Sequence, residues 1–259
     1  MYDPKKHSVK NYKFHPFIEG FIVSLISVLS LLLVTYFLYH HARVAQDGEI
    51  KEGLLRTARI VASAIDVESH KTLHDPKLQV SELYKKTLEP LRKTDLSDED
   101  IEYVYTTIIK DDKIYFILDA ADAGDSDGDG VEDKSFIMDP YDDASNELIK
   151  ALNEQVETVS DEPYKDAWGY HISVFVPFFD KNKNMEGVLG IDINAKNYVA
   201  RLEPIKVAAQ RAAVGSVVIS FFFGLAVWFL RNFTYQMNAS RQAISKDYEN
   251  YSTETTQEK

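Results

Sequence analysis

The sequence predicts an α+β domain held between two membrane-spanning helices. Residues 20–39 and 212–230 are apolar runs without a charged side chain. At about 1.5 Å per residue, each run would form a helix roughly 30 Å long, which matches the hydrocarbon core of a bilayer. Between the runs, apolar residues first recur with a helical period and then fall into four segments rich in β-branched and aromatic residues. The expected domain is a long N-terminal helix on an antiparallel sheet.

The apolar runs set the expected boundaries along the chain. We place transmembrane helix 1 at residues 17–39 and transmembrane helix 2 at residues 206–230, with the soluble domain at 40–205. The first run is longer than the apolar core of a signal peptide and no small-residue cleavage site follows it, so we expect an uncleaved anchor. Residues 1–16 and 231–259 are then the two ends on the cytoplasmic side.

Charge predicts the orientation. Four lysines and one aspartate precede the first span, and a lysine-rich end stays in the cytoplasm. We therefore expect a two-pass protein of the bacterial inner membrane, with its domain in the periplasm or outside the cell. Residues 40–211 hold 35 acidic and 21 basic residues, a net charge of −14, so this segment should repel nucleic acid and suit cations. Cysteine is absent, which excludes disulfides and thiolate chemistry.

The segment after the first span has the period of an amphipathic helix. Its apolar face carries Ile50, Leu54, Ala58, Val61 and Ile65. This stripe can pack on its own domain or on a second copy of the chain. Packing within the domain is the preferred interpretation for Val61 and Ile65, and both interpretations remain open for Ile50 and Leu54.

The other elements follow from changes in the apolar period. The predicted order is a helix over about 80–92, strands over 102–109 and 114–118, a long acidic loop, a helix over 144–155, strands over 170–179 and 185–193, and an exit helix from about Ala195. The apolar sides of the two short helices are Leu83, Leu88 and Leu91, and Leu148, Ile149 and Leu152. The two strand pairs form hairpins, so the sheet has at least four strands.

The acidic loop contains a calcium-loop pattern. Residues 125–133 match D-x-D-x-D-G-x-x-D, the first nine positions of an EF-hand-like loop, with Gly130 at the tight turn. The twelfth position is Phe136, where a bidentate carboxylate would normally lie. A structural Ca²⁺ site is one hypothesis and a solvated acidic loop is the other. The expected ligands are Asp125, Asp127, Asp129, the carbonyl of Val131, and Asp133.

Five short segments, occurring in one order, resemble extracytoplasmic Cache sensor domains (PAS-like, also called PDC) of bacterial two-pass receptors. The segments are 103–106, 115–120, 166–169, 173–177 and 187–193. The resemblance covers roughly residues 42–203, and its more specific pieces are Trp168-Gly169 and the Gly-x-x-Gly-x-Asp strand that ends near Asp192. It implies a long N-terminal helix on a twisted antiparallel sheet, with a ligand pocket between the sheet and a loop-helix cover.

The resemblance also implies a function. The chain is expected to be a transmembrane signal receptor that binds a small ligand outside and signals through the second span. In such receptors the output module, often a histidine kinase or a nucleotide or diguanylate cyclase, follows the second span. The chain ends about 29 residues past Leu230, so the output would lie in a missing continuation or in a cytoplasmic partner, as in a two-component system. No enzymatic activity is expected of this chain. The alternative is a membrane-anchored structural or assembly subunit that binds a partner protein.

The resemblance places polar side chains of the central strands and the covering loop around the ligand. Asp192 is the most informative candidate, because a carboxylate within an apolar strand needs a partner. Gly190 beside it would leave room for a small ligand. Tyr105 and Trp168 could instead be core aromatics, and His171 a capped or exposed histidine. The full set of candidates is Tyr105, Asp119, Trp168, His171, Ser173 and Asp192.

The second span has a face of small residues. Ala212, Ser216, Ser220 and Gly224 recur every four positions, and small residues let helices approach closely in lipid. We predict a parallel homodimer through this face. The competing partner is the chain's own first span, which carries the small residues Gly20, Ser24 and Ser27.

Overall fold

The computed structural model describes residues 15–125, 130 and 132–257, with side chains to Tyr248. The helices are α1 Pro16–Ala64, α2 Val67–His70, α3 Glu82–Asp95, α4 Asn146–Glu154 and α5 Ala195–Gln257, with a 3-10 turn at Pro76–Val80. The strands are β1 Ile101–Lys110, β2 Lys113–Asp119, β3 Thr158–Val159, β4 Tyr164–Asp166, β5 Gly169–Phe179 and β6 Met185–Asn194. Two units are described separately below: the domain Ala42–Pro204, and the spans before and after it.

The two spans form one unit. Helices α1 and α5 each contain a window long and apolar enough to cross a membrane, and 0% and 17% of these windows are buried. A core helix of a soluble protein would be mostly buried, so the low burial of both windows fits the predicted two-pass membrane protein. The spans cross closely where a Cβ on Gly224 would lie 2.7 Å from the Cβ of Ser24. Glu19 accepts a hydrogen bond from Arg231 near this crossing.

This crossing changes the interpretation of the small-residue face. Ser220 and Ser216 are buried within the single chain, and Gly224 faces Gly20 and Ser24 of the first span. The chain's own first span, the competing partner in the sequence analysis, therefore packs against the Gly224 end of the small-residue face. Homodimerisation through the spans stays a prediction, and it requires a surface other than the one at Gly224.

The domain is built on one antiparallel sheet with the strand order β2-β1-β6-β5-β3, and β4 pairs with β5. The four predicted strands are β1, β2, β5 and β6. The short strands β3 and β4 have too few residues to show an alternation, so the sequence did not reveal them. A long N-terminal helix on an antiparallel sheet confirms the predicted α+β fold.

One face of the sheet packs on α1 and α3 to form the main core. All five residues of the predicted α1 stripe belong to it, so packing within the domain is confirmed, and Ile50 and Leu54 are not available for self-association. Two predicted helix contacts are wrong: Leu83 and Ile149 are 37% and 40% exposed. Tyr84 and Ala151 are buried in their helices instead, because each lies one or two positions round the helix from the predicted residue.

Candidate functional site

The second face of the sheet carries the candidate site. Along β6, Leu189 and Ile191 pack in the main core, so the alternate residues Gly190 and Asp192 face the other side. Tyr105 lies opposite Gly190 in the pairing of β1 with β6, and Ser173 lies opposite Asp192 in the pairing of β5 with β6. Central strands thus bring polar side chains together on one face.

A narrow cavity lies against this face. Its volume, taken as the space that the centre of a water molecule can occupy, is about 10 Å³. That is close to the minimum that one water molecule needs. The lining residues are Tyr103, Tyr105, Phe116, Asp119, Asp133, Ser135, Tyr141, Asp166, Trp168 and Asp192.

Four rings form the apolar wall of this cavity. Phe116 and Tyr141 stack with ring centroids 4.6 Å apart, and Trp168 meets both edge-on at 5.4 Å. Tyr105 contacts Phe116 edge-on at 5.3 Å. Such edge-to-face and stacked pairs favour one arrangement of the rings, so the wall is a defined surface.

Trp168 is the partly exposed member of the ring cluster. It lies in the two-residue turn between Asp166 of β4 and Gly169 of β5. Gly169 has a φ of 141°, a conformation open to glycine and costly for other residues. The indole Nε1 donates to the carbonyl of Glu132, at 3.1 Å, in the acidic loop. This ring therefore links the cavity to the loop that covers it.

Two buried aspartates line the cavity and have raised pKa values. Burial raises the pKa of Asp192 to about 7, although the charge of His171 opposes the shift. Burial likewise raises the pKa of Asp119 to about 6. Asp119 accepts hydrogen bonds from the backbone N–H groups of Ser135, at 2.7 Å, and Ala121, at 2.8 Å. Tyr105 donates to Asp192 at 3.5 Å, a long hydrogen bond.

A buried histidine lies behind the cavity. His171 Nδ1 is 3.0 Å from Glu102 Oε2, and Nε2 is 3.2 Å from Asp166 Oδ1, although outside hydrogen-bond geometry. Burial alone would lower the pKa of His171, but the carboxylates of Asp166 and Glu102 outweigh it and raise the pKa to about 10. The imidazolium in turn lowers the pKa of Asp166 against its burial. These charges form a closed network in the sheet.

The structure separates the six candidate residues into two groups. Tyr105, Asp119, Trp168 and Asp192 line the cavity. His171 and Ser173 are buried beside it, where Ser173 hydrogen-bonds the Tyr164 hydroxyl at 2.9 Å. Ligand contact by any of them stays a prediction. The expectation about Gly190 is wrong, because a Cβ there would lie 2.7 Å from the Tyr105 ring, so that ring already fills the space.

Five further lining residues were not singled out from the sequence: Tyr103, Phe116, Ser135, Tyr141 and Asp166. A sixth, Asp133, was expected as a calcium ligand and not as part of this cavity. Tyr103 lies two residues before Tyr105 in β1 and therefore faces the same side of the sheet, a pattern that could have indicated Tyr103 as a lining residue. Tyr141 and Ser135 lie outside regular elements, so no period marks them. Asp166 belongs to a three-residue strand that the sequence did not reveal, and it accepts from the Tyr141 hydroxyl at 3.0 Å.

The acidic loop is described at its ends. Asp125 accepts from the backbone N–H of Gly130 at 2.9 Å, and the N–H of Asp133 donates to the carbonyl of Gly124 at 2.9 Å. The expected ligands Asp127, Asp129 and Val131 lie outside the described residues. In residues 15–125, 130 and 132–248, no group of three acidic or histidine side chains could hold a metal. Calcium binding stays a prediction.

Comparisons with known proteins give similarities to sensor domains. The ligand-binding domain of the Campylobacter jejuni chemoreceptor Tlp3, in complex with L-valine, is 15% identical with a TM-score of 0.45, over 70% of this chain and 66% of that one. The chain thus spans just under two thirds of the Tlp3 domain. The Escherichia coli DcuS sensor domain is 15% identical with a TM-score of 0.43, over 61% of this chain and 98% of that one. No protein-family model matches, and the search of curated proteins returned no significant match.

Proposed function

We propose that this chain is a two-pass sensory receptor whose extracytoplasmic domain binds a small molecule in the cavity and signals through α5. The observation that carries the proposal is the cavity itself, where buried carboxyls and aromatic faces meet on the sheet of a Cache-like domain. Burying Asp192 and Asp119 without a direct ion pair costs stability. Destabilising buried ionisable groups of this kind are typical of binding and catalytic sites.

The connection from β6 to α5 supports a route for the signal. Asp192 lies three residues before α5 begins, with no loop between strand and helix. Within the domain, the Tyr198 hydroxyl of α5 donates to Asp47 of α1, and Arg201 of α5 pairs with Asp100. A ligand that shifts β6 would therefore shift the first turns of α5 against these contacts.

The remaining parts of the proposal complete the receptor. Both termini face the cytoplasm, and the chain acts as a homodimer. The output is a histidine kinase or a nucleotide or diguanylate cyclase, in a continuation of the chain or on a partner protein. The chain itself carries no catalytic activity.

A thermal-shift screen of the full chain in nanodiscs tests ligand binding. A ligand of the folded domain raises the unfolding temperature by mass action. We expect a shift with at least one class in a panel of amines, amino acids, carboxylates and sugars, at millimolar concentration. A panel in which no compound shifts unfolding would contradict small-molecule sensing and favour the alternative, a membrane-anchored subunit that binds a partner protein.

A further inference from the structure

The cavity wall has an unusual composition for a small-molecule site. Five of its ten lining side chains are aromatic and four are aspartates. Among the described residues, no lysine or arginine lines it. Aromatic faces carry partial negative charge and attract cations, so both kinds of side chain favour the same sign of ligand charge.

The positive charges nearest the cavity already have partners. His171 lies between Glu102 and Asp166, within 3.2 Å of each. Lys134 directs its ammonium to the carbonyl oxygens of Asp119, at 2.7 Å, and Ala121, at 2.6 Å. Neither residue lines the cavity. A ligand carboxylate would therefore enter without a cation to receive it.

Two of the lining carboxyls lack a basic partner. In the described part of the chain, no lysine, arginine or histidine nitrogen lies within 4.0 Å of a carboxylate oxygen of Asp192 or Asp119, and Lys134 reaches only the backbone carbonyl of Asp119. Asp192 is 2% exposed and Asp119 is 3% exposed. His171 and Lys134 act on these carboxyls only from a distance. Since a buried carboxylate is stabilised by a nearby cation, a positively charged ligand supplies the direct pairing that the domain does not make.

Resting on the proposed receptor function, we propose that the cavity binds a small organic ammonium and discriminates against ligands that carry a carboxylate. The four-ring wall receives the ammonium or its alkyl groups, and Asp192 and Asp119 pair with the charge. A carboxylate would face four aspartates, a like-charge arrangement that rejects it. A bare metal ion fits less well, because no three of the described acidic or histidine side chains converge on one point.

The site also limits ligand size. The cavity admits little more than one water, so binding requires side chains to move apart. Trp168 is the partly exposed ring of the four-ring wall, and a single hydrogen bond from its indole holds it to Glu132. Rotation of this ring opens the wall at the least cost in buried area, which suits a ligand of a few heavy atoms.

Calorimetric titration of the full chain in nanodiscs tests the ligand class. The probes are three matched sets that differ only in charged group: methylamine, glycine and acetate; isobutylamine, valine and isovalerate; phenethylamine, phenylalanine and 3-phenylpropionate. Calcium chloride is added as a separate probe. We expect the amine of at least one set to bind at least tenfold more tightly than its amino acid, and no carboxylate to bind.

Two variants locate the binding. Asp192→Asn should weaken the amine at least tenfold, because it removes the charge that pairs with the ammonium. Asp112→Asn, in the exposed turn between β1 and β2, should leave affinity unchanged. An amino acid or carboxylate that binds most tightly would overturn the ligand class and leave the receptor proposal standing. Binding by calcium alone, or by no probe, would also overturn it. The receptor proposal falls only if the thermal-shift panel is negative as well.

Discussion

Asp192 is the residue at which stability and function are expected to conflict. Its pKa of about 7 lies above the value of about 4 for an aspartate in an unfolded chain. A carboxyl with a raised folded-state pKa favours the folded state while protonated, and this contribution is lost as pH rises from about 4 to about 7. Above pH 7 the ligand-free domain therefore contains an unfavourable buried charge. Tyr105, Ser173, His171 and Asp166 are the polar groups that influence it.

We therefore predict that Asp192→Asn stabilises the ligand-free chain at pH 8 by about 1–3 kcal/mol, with the gain vanishing near pH 4. Chemical denaturation at the two pH values measures it. The matched control is Asp180→Asn. Lys71 Nζ donates to Asp180 at 2.6 Å and lowers its pKa, so this variant should be less stable at pH 8. A loss of stability in both variants would contradict the assigned charge state of Asp192.

Gly190 is a second residue with a specific reason for its identity. Because a Cβ would lie 2.7 Å from the Tyr105 ring, Gly190→Ala should destabilise the chain by about 1–3 kcal/mol through overpacking. Gly53→Ala is the control, since nothing lies within 4 Å of its Cβ on α1. That helix-interior change should stabilise by up to about 1 kcal/mol. Equal effects of the two changes would show that Tyr105 does not lie over Gly190.

At the scale of elements, the patterns that repeat were predictable. The α1 stripe identifies the helix side of the main core, because residues at the helical period meet the same surface. The cavity was predictable in part. Asp192 stands out as a charge in an apolar strand, whereas Tyr141 comes from a non-repeating segment. Its position depends on the Tyr115 to Pro140 bridge, a long-range contact that no local pattern encodes.

The acidic loop is an element whose role a metal titration can decide. We predict that calcium raises the unfolding temperature of the full chain, because a ligand that binds only the folded state stabilises it. Asp127→Asn with Asp129→Asn should remove the effect. Asp142→Asn with Asp143→Asn, which changes two exposed carboxylates by the same charge, should keep it. An unchanged unfolding temperature at millimolar calcium would mean that the loop is only a solvated acidic segment.

At the scale of the whole molecule, the spans determine how the chain is held in the membrane. Ser24 and Gly224 approach closely in the structure, and the chain has no native cysteine. The pair Ser24→Cys and Gly224→Cys should therefore form an intramolecular disulfide in native membranes. Ser24→Cys with Phe222→Cys is the control, since Phe222 is 62% exposed. Dimeric rather than intramolecular cross-linking through Gly224 would restore the sequence-based view that this face meets a second copy.

The most direct test of the cavity as the ligand site uses the two tryptophans of the chain. Trp168 lines the cavity and Trp228 lies in the second span, so Trp228→Phe leaves a single fluorophore at the site. With the full chain in nanodiscs, we predict that an amine identified by calorimetry changes Trp168 emission saturably. The ligand concentration at half of the full emission change should match the calorimetric dissociation constant. It should be roughly tenfold higher in the double variant that carries both Trp228→Phe and Asp192→Asn. A ligand that binds with no change in Trp168 emission, or equally well without the Asp192 carboxylate, would contradict the assignment of this cavity as the sensory site.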